Sequence, residues 1–200
     1  MATKLPFSGN TDADQLLERD PLALLIGMVL DQQIPLEKAF SSPLVLQERM
    51  GGGPLEAAAI ADASEDEILM WFATPPALHR FPASMGKRVQ ELCRVLVDEY
   101  DGKADRVWTE AADGADLLRR VKALPGFGDQ KAKIFVALLG KRLGVAPKGW
   151  QKAAGEYGEK GSRRSVADID SPQALKEVRA YKQQVKAAAK AAAASASTER

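Results

Sequence analysis

Cysteine and histidine are almost absent from this 200-residue sequence, which contains one of each. Cys93 alone excludes an internal disulfide framework and a four-cysteine zinc or iron–sulfur site within one chain. His79 alone excludes a multi-histidine metal site and argues against a Ser-His-Asp triad. We therefore expect no cofactor and no catalytic metal ion.

Long apolar runs are also missing. No stretch reaches the roughly 18 to 20 apolar residues that a bilayer-spanning helix needs. Residues 1–10 lack the apolar region of a secretory signal, so we expect none. The hydrophobic fraction of 46% is typical of a globular protein in water. We therefore expect a cytoplasmic location and no membrane partner.

The formal net charge of +1 conceals an uneven distribution of charge along the chain. Residues 1–100 carry 8 Lys and Arg against 15 Asp and Glu, whereas residues 101–200 carry 20 against 12. The steepest segment, residues 119–164, has 12 basic and 3 acidic residues. A basic segment of this kind is typical of a surface for nucleic acid, and also of a lysine-rich face in water.

Helical signals cover most of the chain. Asp20-Pro21 is a capping residue followed by proline at the first helical position, and SEDE at residues 64–67 is a capping box. Helical spacing of apolar residues continues through residues 84–100 and 129–143. No segment alternates polar and apolar residues long enough to indicate a strand, so we predict an all-α protein.

The length predicts one or two domains with a sizeable core. We predict a single helical domain over residues 1–185, and a monomer. Residues 186–200 are rich in alanine and lysine and form a low-complexity tail. This tail is predicted to be disordered or a fraying helix.

A tight turn with the sequence LPGFG, residues 124–128, interrupts the helical pattern. Glycine permits backbone torsions that other residues resist, and the amides that open the following helix lack intrahelical acceptors. Such a turn can bind an anion, and a DNA phosphate suits it because Lys122, Lys131 and Lys133 lie nearby in sequence. Phe127 is expected to point inward as an apolar plug. The alternative is an ordinary helical hairpin with a charged second helix.

Three segments form an ordered set of motifs. They are residues 121–132 (VKALPGFGDQKA), residues 20–33, which end in DQQ, and more weakly residues 86–92. In order and spacing they resemble the helix-hairpin-helix, the early helix with its Ser-Gln-Gln-like turn and the lysine-bearing helix of the HhH-GPD superfamily of base-excision DNA glycosylases. The resemblance covers roughly residues 18–150. It implies a two-lobed helical fold with double-stranded DNA across a cleft.

The resemblance also implies roles for particular residues. The predicted DNA-binding residues are Gln32, Gln33, Gly126, Phe127, Gly128, Gln130, Lys131 and Lys133. The amides of Gly126 and Gly128 would hold a backbone phosphate, and the hairpin carbonyls would bind a monovalent cation. Gln33 would fill the space that a flipped base leaves in the duplex, with Gln32 beside it in the turn. A helix end in water is the alternative for both glutamines. Flipping is required because the glycosidic carbon of a stacked nucleotide is inaccessible.

The sequence departs from the family at its catalytic positions. Gln130 stands where the bifunctional members have a Schiff-base lysine, and Lys131 lies about 100° away around the helix. We therefore expect a monofunctional enzyme in which Lys131 contacts phosphate or water. The position of the family's catalytic aspartate, counted from Ala132, is Lys148, and residues 145–154 contain no carboxylate. One cysteine cannot build the iron–sulfur cluster of the endonuclease III branch.

Other carboxylates are candidates to replace the missing aspartate. Asp31, next to the glutamine turn, is the first candidate to stabilise a positively charged sugar or to position water. Its alternative role is to cap the helix that begins near Pro35. Asp129 is the second candidate, with a structural alternative in the first turn of its helix. Glu156 and Glu159 come third.

Three ring side chains also have two interpretations each. His79 is a proton donor or water-orienting group, or else a buried hydrogen-bonding residue. Trp150 and Tyr157 stack on a flipped base, or else belong to small local cores. The function predicted from these observations is DNA N-glycosylase activity at the nucleoid. A catalytically inactive protein of the same fold that binds lesions or DNA structures is the alternative, and a helical scaffold for other proteins is a third.

Overall fold

The computed structural model describes the backbone of residues 4–198 and the side chains of residues 4–189. Within this part of the chain the secondary structure is helical and no strand occurs, which confirms the all-α prediction. Two 3-10 turns, Gly155–Gly158 and Val166–Asp168, lie in the C-terminal half. The α-helices in chain order are α1 Thr11–Arg19, α2 Pro21–Leu30, α3 Leu36–Arg49, α4 Ala57–Asp62, α5 Glu65–Ala73, α6 Pro82–Tyr100, α7 Arg106–Thr109, α8 Gly114–Ala123, α9 Asp129–Arg142, α10 Trp150–Ala154 and α11 Pro172–Thr198.

The predicted helix starts are present because polar side chains satisfy the first amides. The Asp20 carboxylate accepts hydrogen bonds from two amides in the first turn of α2 at 2.9 and 3.1 Å, and Pro21 is the first residue of that helix. Ser64 and Glu67 form a reciprocal capping box at the start of α5. Both starts were predicted from the same residues.

Helix α2 lies in the hydrophobic core, and residues 22–30 are all buried. Helices α1 and α3 pack against α2, and α6 also contacts it. Nearby, Phe7 and Phe40 meet edge to face with their ring centroids 4.9 Å apart. Because its whole circumference is covered, α2 holds its last turn and the residues after it in a fixed place.

The remaining helices form two further groups. Helices α4 and α5 pack on α6, while α8, α9 and α10 pack on one another. Helix α10 is a short helix of five residues. Trp108 of α7 is buried and meets Phe135 of α9 with the ring centroids 5.7 Å apart, so it belongs to the core.

Helix α11 packs against the 3-10 turn Val166–Asp168. Val178 is buried, and Arg179 forms an ion pair with Glu37 at the start of α3. The backbone of the predicted low-complexity tail continues α11 as far as Thr198. Residues 199 and 200 lie outside the described residues.

Candidate functional site

The LPGFG segment forms a tight turn between α8 and α9. The Phe127 amide donates to the Leu124 carbonyl at 3.1 Å, and Gly126 has a φ of +89°. Pro125 before this glycine gives the residue order of a type II turn, whose third position favours glycine. A Cβ on Gly126 would also lie 3.1 Å from the Val29 side chain. The need for glycine predicted at this position therefore has two physical causes.

Gly128 differs from Gly126 in its backbone conformation. Its φ is −69° and its ψ is 174°, an extended conformation that any residue adopts. A Cβ built on Gly128 would have no atom within 4 Å. The space in front of this residue is therefore open, and its backbone does not require glycine.

The start of α9 leaves amide donors free. Gly128 is the N-cap of this helix and provides no side-chain hydrogen bond, and Ala132 is the first residue whose amide bonds back, to the Gly128 carbonyl at 2.9 Å. The amides of residues 129–131 have no acceptor within the described part of the chain. A helix N-terminus with free amides and open space in front of it favours an anionic ligand.

Phe127 is 4% exposed and meets Phe135 edge to face, with the ring centroids 5.6 Å apart. The predicted apolar plug is confirmed. The same burial corrects the assignment of Phe127 as a DNA-binding residue, because its ring is directed into the core and its amide is used within the turn. Phe127 anchors the hairpin and leaves the contact with a ligand to its neighbours.

The glutamine turn follows the end of α2. Gln32 is half-buried, and its side-chain amide donates to the Val29 carbonyl at 2.9 Å. Its own carbonyl is 2.8 Å from Nε2 of His79. Gln33 is exposed and has a φ of +56°. Gln33 is therefore free to meet a ligand, whereas Gln32 holds the turn in place.

His79 is a buried hydrogen-bonding residue and not a group at the cleft. Its ring is 1% exposed, and its Nδ1 accepts a hydrogen bond from the Phe81 amide at 3.0 Å. The proton is therefore on Nε2, which donates to the Gln32 carbonyl. Burial lowers the pKa of His79, which favours this neutral form.

The hairpin is packed against the end of α2. Gly126 faces both Val29 of α2 and Arg88 of α6. A Cβ added to Gly126 would lie 3.3 Å from the Cδ of Arg88. Lys131 of α9 donates from Nζ to the carbonyls of Met28 at 2.7 Å and of Val29 at 3.1 Å. Three segments that are distant in the sequence therefore meet at one point, which we call the junction and define by Val29, Arg88, Gly126 and Lys131.

A small cavity of about 240 Å³ lies beside this junction, between α2, α9 and α11. We call it the α2–α9 cavity. Asp31 contributes the carboxylate, with its side chain 18% exposed and 4.0 Å from Nζ of Lys182. Gln130 also lines the cavity and donates to the Tyr157 hydroxyl at 2.8 Å. The full lining is Met28, Asp31, Gln130, Lys131, Ile134, Val166 and Lys182.

Lys131 has an unusual environment. Its pKa is lowered to about 8, mainly by burial, while the charge of Asp31 acts to raise it and the charges of Arg88 and Lys182 act to lower it. The contact of Lys131 with phosphate or water stays a prediction: its ammonium bonds to two protein carbonyls inside the junction, and its side chain also lines the cavity. Its charge still acts on any anion that enters the cavity.

The structural role weighed for Asp31 is wrong. Helix α3 begins at Leu36 with Pro35 as its N-cap, and no side chain caps it. Asp31 lies at the C-cap of α2, with its amide donating to the Gly27 carbonyl. Its carboxylate therefore remains available to the cavity.

The other candidate carboxylates lie elsewhere in ion pairs. Asp129 bridges Lys122 at 2.8 Å and Lys133 at 2.7 Å, and these partners lower its pKa to about 2. Glu156 and Glu159 both pair with Arg164, at 3.0 and 3.4 Å. None of these three acids lines the α2–α9 cavity.

Lys133, assigned to DNA binding, is on the opposite side of α9 from Lys131, since two residues turn a helix by about 200°.

Trp150 packs on Gly140, where its ring would lie 2.5 Å from an added Cβ, and Tyr157 is buried. The local-core interpretation of both aromatic residues is the one that the structure supports.

Two cationic residues of the junction were not identified as site residues from the sequence. Arg88 lies within the weakest motif, so that motif was the available signal. Lys182 belongs to α11, more than 50 residues after the hairpin, and shares the cavity with Asp31. Nothing in the spacing along the chain indicates that α11 returns to this point.

Within residues 4–189 no group of three or more His, Cys, Asp or Glu side chains could hold a metal ion. None of the described helices combines the length and apolarity needed to cross a membrane. Comparisons of the chain with models of known families, with curated proteins and with solved structures give no match. Function is therefore inferred from the geometry of the junction and from the motifs that meet there.

Proposed function

We propose that this chain is a DNA N-glycosylase of base-excision repair, with a two-lobed fold like that of the HhH-GPD superfamily, and that it is monofunctional. One observation carries the proposal. The three motif segments, residues 20–33, 86–92 and 121–132, meet at Gly126, which faces Val29 and Arg88. Motifs found in order by chance would have no reason to meet in space.

Binding of the DNA backbone is assigned to the hairpin. The free amides of residues 129–131 and the open space before Gly128 fit a phosphate, and Lys122 and Lys133 add positive charge beside it. Gln33 is exposed on the neighbouring turn and is assigned to the gap that an extruded base leaves in the duplex.

Chemistry is assigned to the α2–α9 cavity. Asp31 would stabilise the positive charge on the sugar as the N-glycosidic bond breaks and would orient the attacking water. The departing base takes the electron pair of that bond, the water oxygen bonds to the sugar carbon, and the water proton passes to the carboxylate or the base. Arg88, Lys131 and Lys182 hold positive charge around this point, which favours the phosphates on either side of a flipped nucleotide.

The test measures release of free base from a panel of duplexes that each carry one damaged base. We expect the unaltered protein to release base from at least one of them. Asp31→Asn should lower that rate about 100-fold, as expected for loss of a catalytic carboxylate, and leave duplex affinity nearly unchanged. Asp62→Asn is the matched control because Asp62 is exposed on α4, away from the cavity.

Base release that survives Asp31→Asn would remove Asp31 from the mechanism. Failure of the unaltered protein to bind duplex DNA at low salt, or binding that is independent of salt, would overturn the proposal as a whole. DNA binding should also depend on the hairpin, so we expect that replacing Gly126 and Gly128 together abolishes it.

A second candidate function is lesion binding without chemistry. Lys148 stands at the position of the family's aspartate, and it lies on the other side of α8 and α9 from the α2–α9 cavity. A protein of this fold that lost the aspartate would still bind DNA through its hairpin. Salt-dependent duplex binding with no base release from any member of the panel would favour this candidate.

A further inference from the structure

We propose that a second DNA-contacting surface lies between α8, α9 and α10 and holds the phosphodiester backbone of the strand that flanks the hairpin. We call this surface the basic groove, and its assignment to DNA rests on the function proposed above. It is an open cavity of about 870 Å³. Five cationic side chains line it: Arg119, Lys122, Lys133, Lys148 and Lys152.

Close helix contacts build the groove. A Cβ on Gly114, the first residue of α8, would lie 2.5 Å from the backbone of Gly149 and Trp150. A Cβ on Gly140 of α9 would lie 2.5 Å from the Trp150 ring. The Gly114 amide donates to the Lys148 carbonyl at 2.8 Å. Helix α10 is therefore seated directly on α8 and α9, and the groove is formed before any ligand arrives.

The positive charge of the groove is only partly neutralised. Lys122 and Lys133 share one carboxylate, that of Asp129, Arg119 pairs with Asp116, and Asp113 adds one carboxylate to the lining. Lys148 and Lys152 are exposed, and neither side chain has a hydrogen bond or ion pair with any residue in the described part of the chain. Lys148 and Lys152 lie together in the lining of the same groove as three further cations, and we assign this cluster to an anionic ligand.

The shape of the groove favours a strand of phosphates over a single anion. Helix α8 has ten residues, which corresponds to about 15 Å at 1.5 Å per residue. One strand of B-DNA carries a phosphate for about every 3.4 Å of helix axis, so this length matches about four phosphates. The apolar floor, which includes Ala115 and Leu118, accommodates the sugars.

The groove and the α2–α9 cavity lie on the two sides of the first turns of α9. Lys131 lines the cavity and Lys133 lines the groove, on opposite sides of α9. The hairpin lies at the start of that helix, next to both. A strand whose phosphate sits on the hairpin amides can therefore place one nucleotide at the cavity and continue along the groove.

The test compares the double variant Lys148→Gln/Lys152→Gln with the unaltered protein by duplex titration at several salt concentrations. We expect about tenfold weaker binding near physiological salt and a salt slope that is smaller by up to about 2, since each lost phosphate contact removes about 0.9. Lys103→Gln/Lys176→Gln is the matched control, because both lysines are exposed and lie outside the groove. It removes the same charge and should leave the slope unchanged.

Equal effects of the two double variants would show a general response to net charge and would overturn the inference. An unchanged affinity and slope in Lys148→Gln/Lys152→Gln, with normal binding by the unaltered protein, would also overturn it while leaving the proposed function intact. Absence of duplex binding by the unaltered protein would overturn both. Helical circular dichroism of each variant checks that the loss is not unfolding.

Discussion

At the scale of single residues, the two glycines of the hairpin have different reasons to be there. Gly126 has a φ of +89° and faces Val29 and Arg88 closely, so the fold itself requires it. Gly128 has an ordinary φ of −69° and open surroundings. The residue that a phosphate would approach is therefore the one that the fold leaves free, and function and stability can be separated by mutation.

Gly126→Ala is expected to lower the free energy of unfolding by about 1 to 2 kcal/mol, because alanine at a positive φ is strained. Gly128→Ala should change it by less than about 1 kcal/mol, since a lost favourable N-cap residue is offset by a less flexible unfolded chain. Duplex affinity should nevertheless fall at least about tenfold in Gly128→Ala, because the new Cβ enters the space before the free amides. Denaturant unfolding and duplex titration measure the two effects.

Gly53→Ala is the control for that pair. Gly53 has open surroundings and no positive φ, as Gly128 does, but lies in the loop after α3. It should change neither stability nor DNA binding appreciably. Normal DNA affinity in Gly128→Ala would show that phosphate does not approach the hairpin from this side.

At the scale of elements, Lys131 joins α9 to the end of α2 through two carbonyls. Burial lowers its pKa from the usual 10.5 to about 8. Between these two pH values the folded chain binds fewer protons at this site than the unfolded chain, so the stability contributed here rises as the pH rises. Below about pH 8 both states are protonated, and the folded state carries the whole cost of a buried charge.

We expect the free energy of unfolding of the unaltered protein, relative to Lys131→Met, to increase by up to about 3 kcal/mol from pH 8 to pH 10.5, at 1.36 kcal/mol for each pKa unit. Denaturant melts of both proteins at matched pH measure this difference, and other groups that titrate in the range cancel. A difference that stays flat or falls with pH would show that the ammonium of Lys131 is in ordinary contact with water.

The elements themselves were largely predictable, because their signals are local. Asp20-Pro21 and the capping box at residues 64–67 mark helix starts through side chains that bond to amides two or three residues away. The role of Asp31 was open, since capping α3 and facing a cavity require the same residue in the same place along the chain. The start of α3 at Leu36, with Pro35 as its N-cap and no capping side chain, excludes the first role, and the packing of α11, which brings Lys182 near Asp31, completes the cavity that Asp31 lines.

At the scale of the whole molecule, the arrangement of the site depends on contacts that no local pattern contains. Gly126 contacts Val29, which lies almost 100 residues earlier in the sequence. Lys131 donates to the carbonyl of Met28, which lies 103 residues earlier. The order of the motifs predicted a shared cleft through the resemblance to a family. It did not predict that Lys131 would be directed inward, because helical spacing gives an angle around the axis and not the partner found there.

The uneven charge of the chain has a spatial counterpart in this arrangement. The basic residues of segment 119–164 include all five cations of the basic groove, while Arg88 and Lys182 come from outside it and complete the cavity side of the junction. Positive charge therefore borders the hairpin on both sides of α9. A duplex attracted to this end of the molecule has the hairpin amides as its central contact.

This arrangement predicts which backbone amides a bound duplex protects from hydrogen exchange. Protection should increase together at the glutamine turn, residues 31–34, and at the hairpin, residues 124–131, because one strand contacts both across the junction of α2 and α9. Residues 145–153 should follow if the strand continues along the basic groove. The loop between α3 and α4, residues 50–56, serves as the internal reference, since it lies outside both cavities and should exchange at the same rate with and without DNA. Protection of the hairpin without the glutamine turn would mean that DNA binds the helical hairpin alone and never reaches Asp31, which would leave the α2–α9 cavity without a substrate.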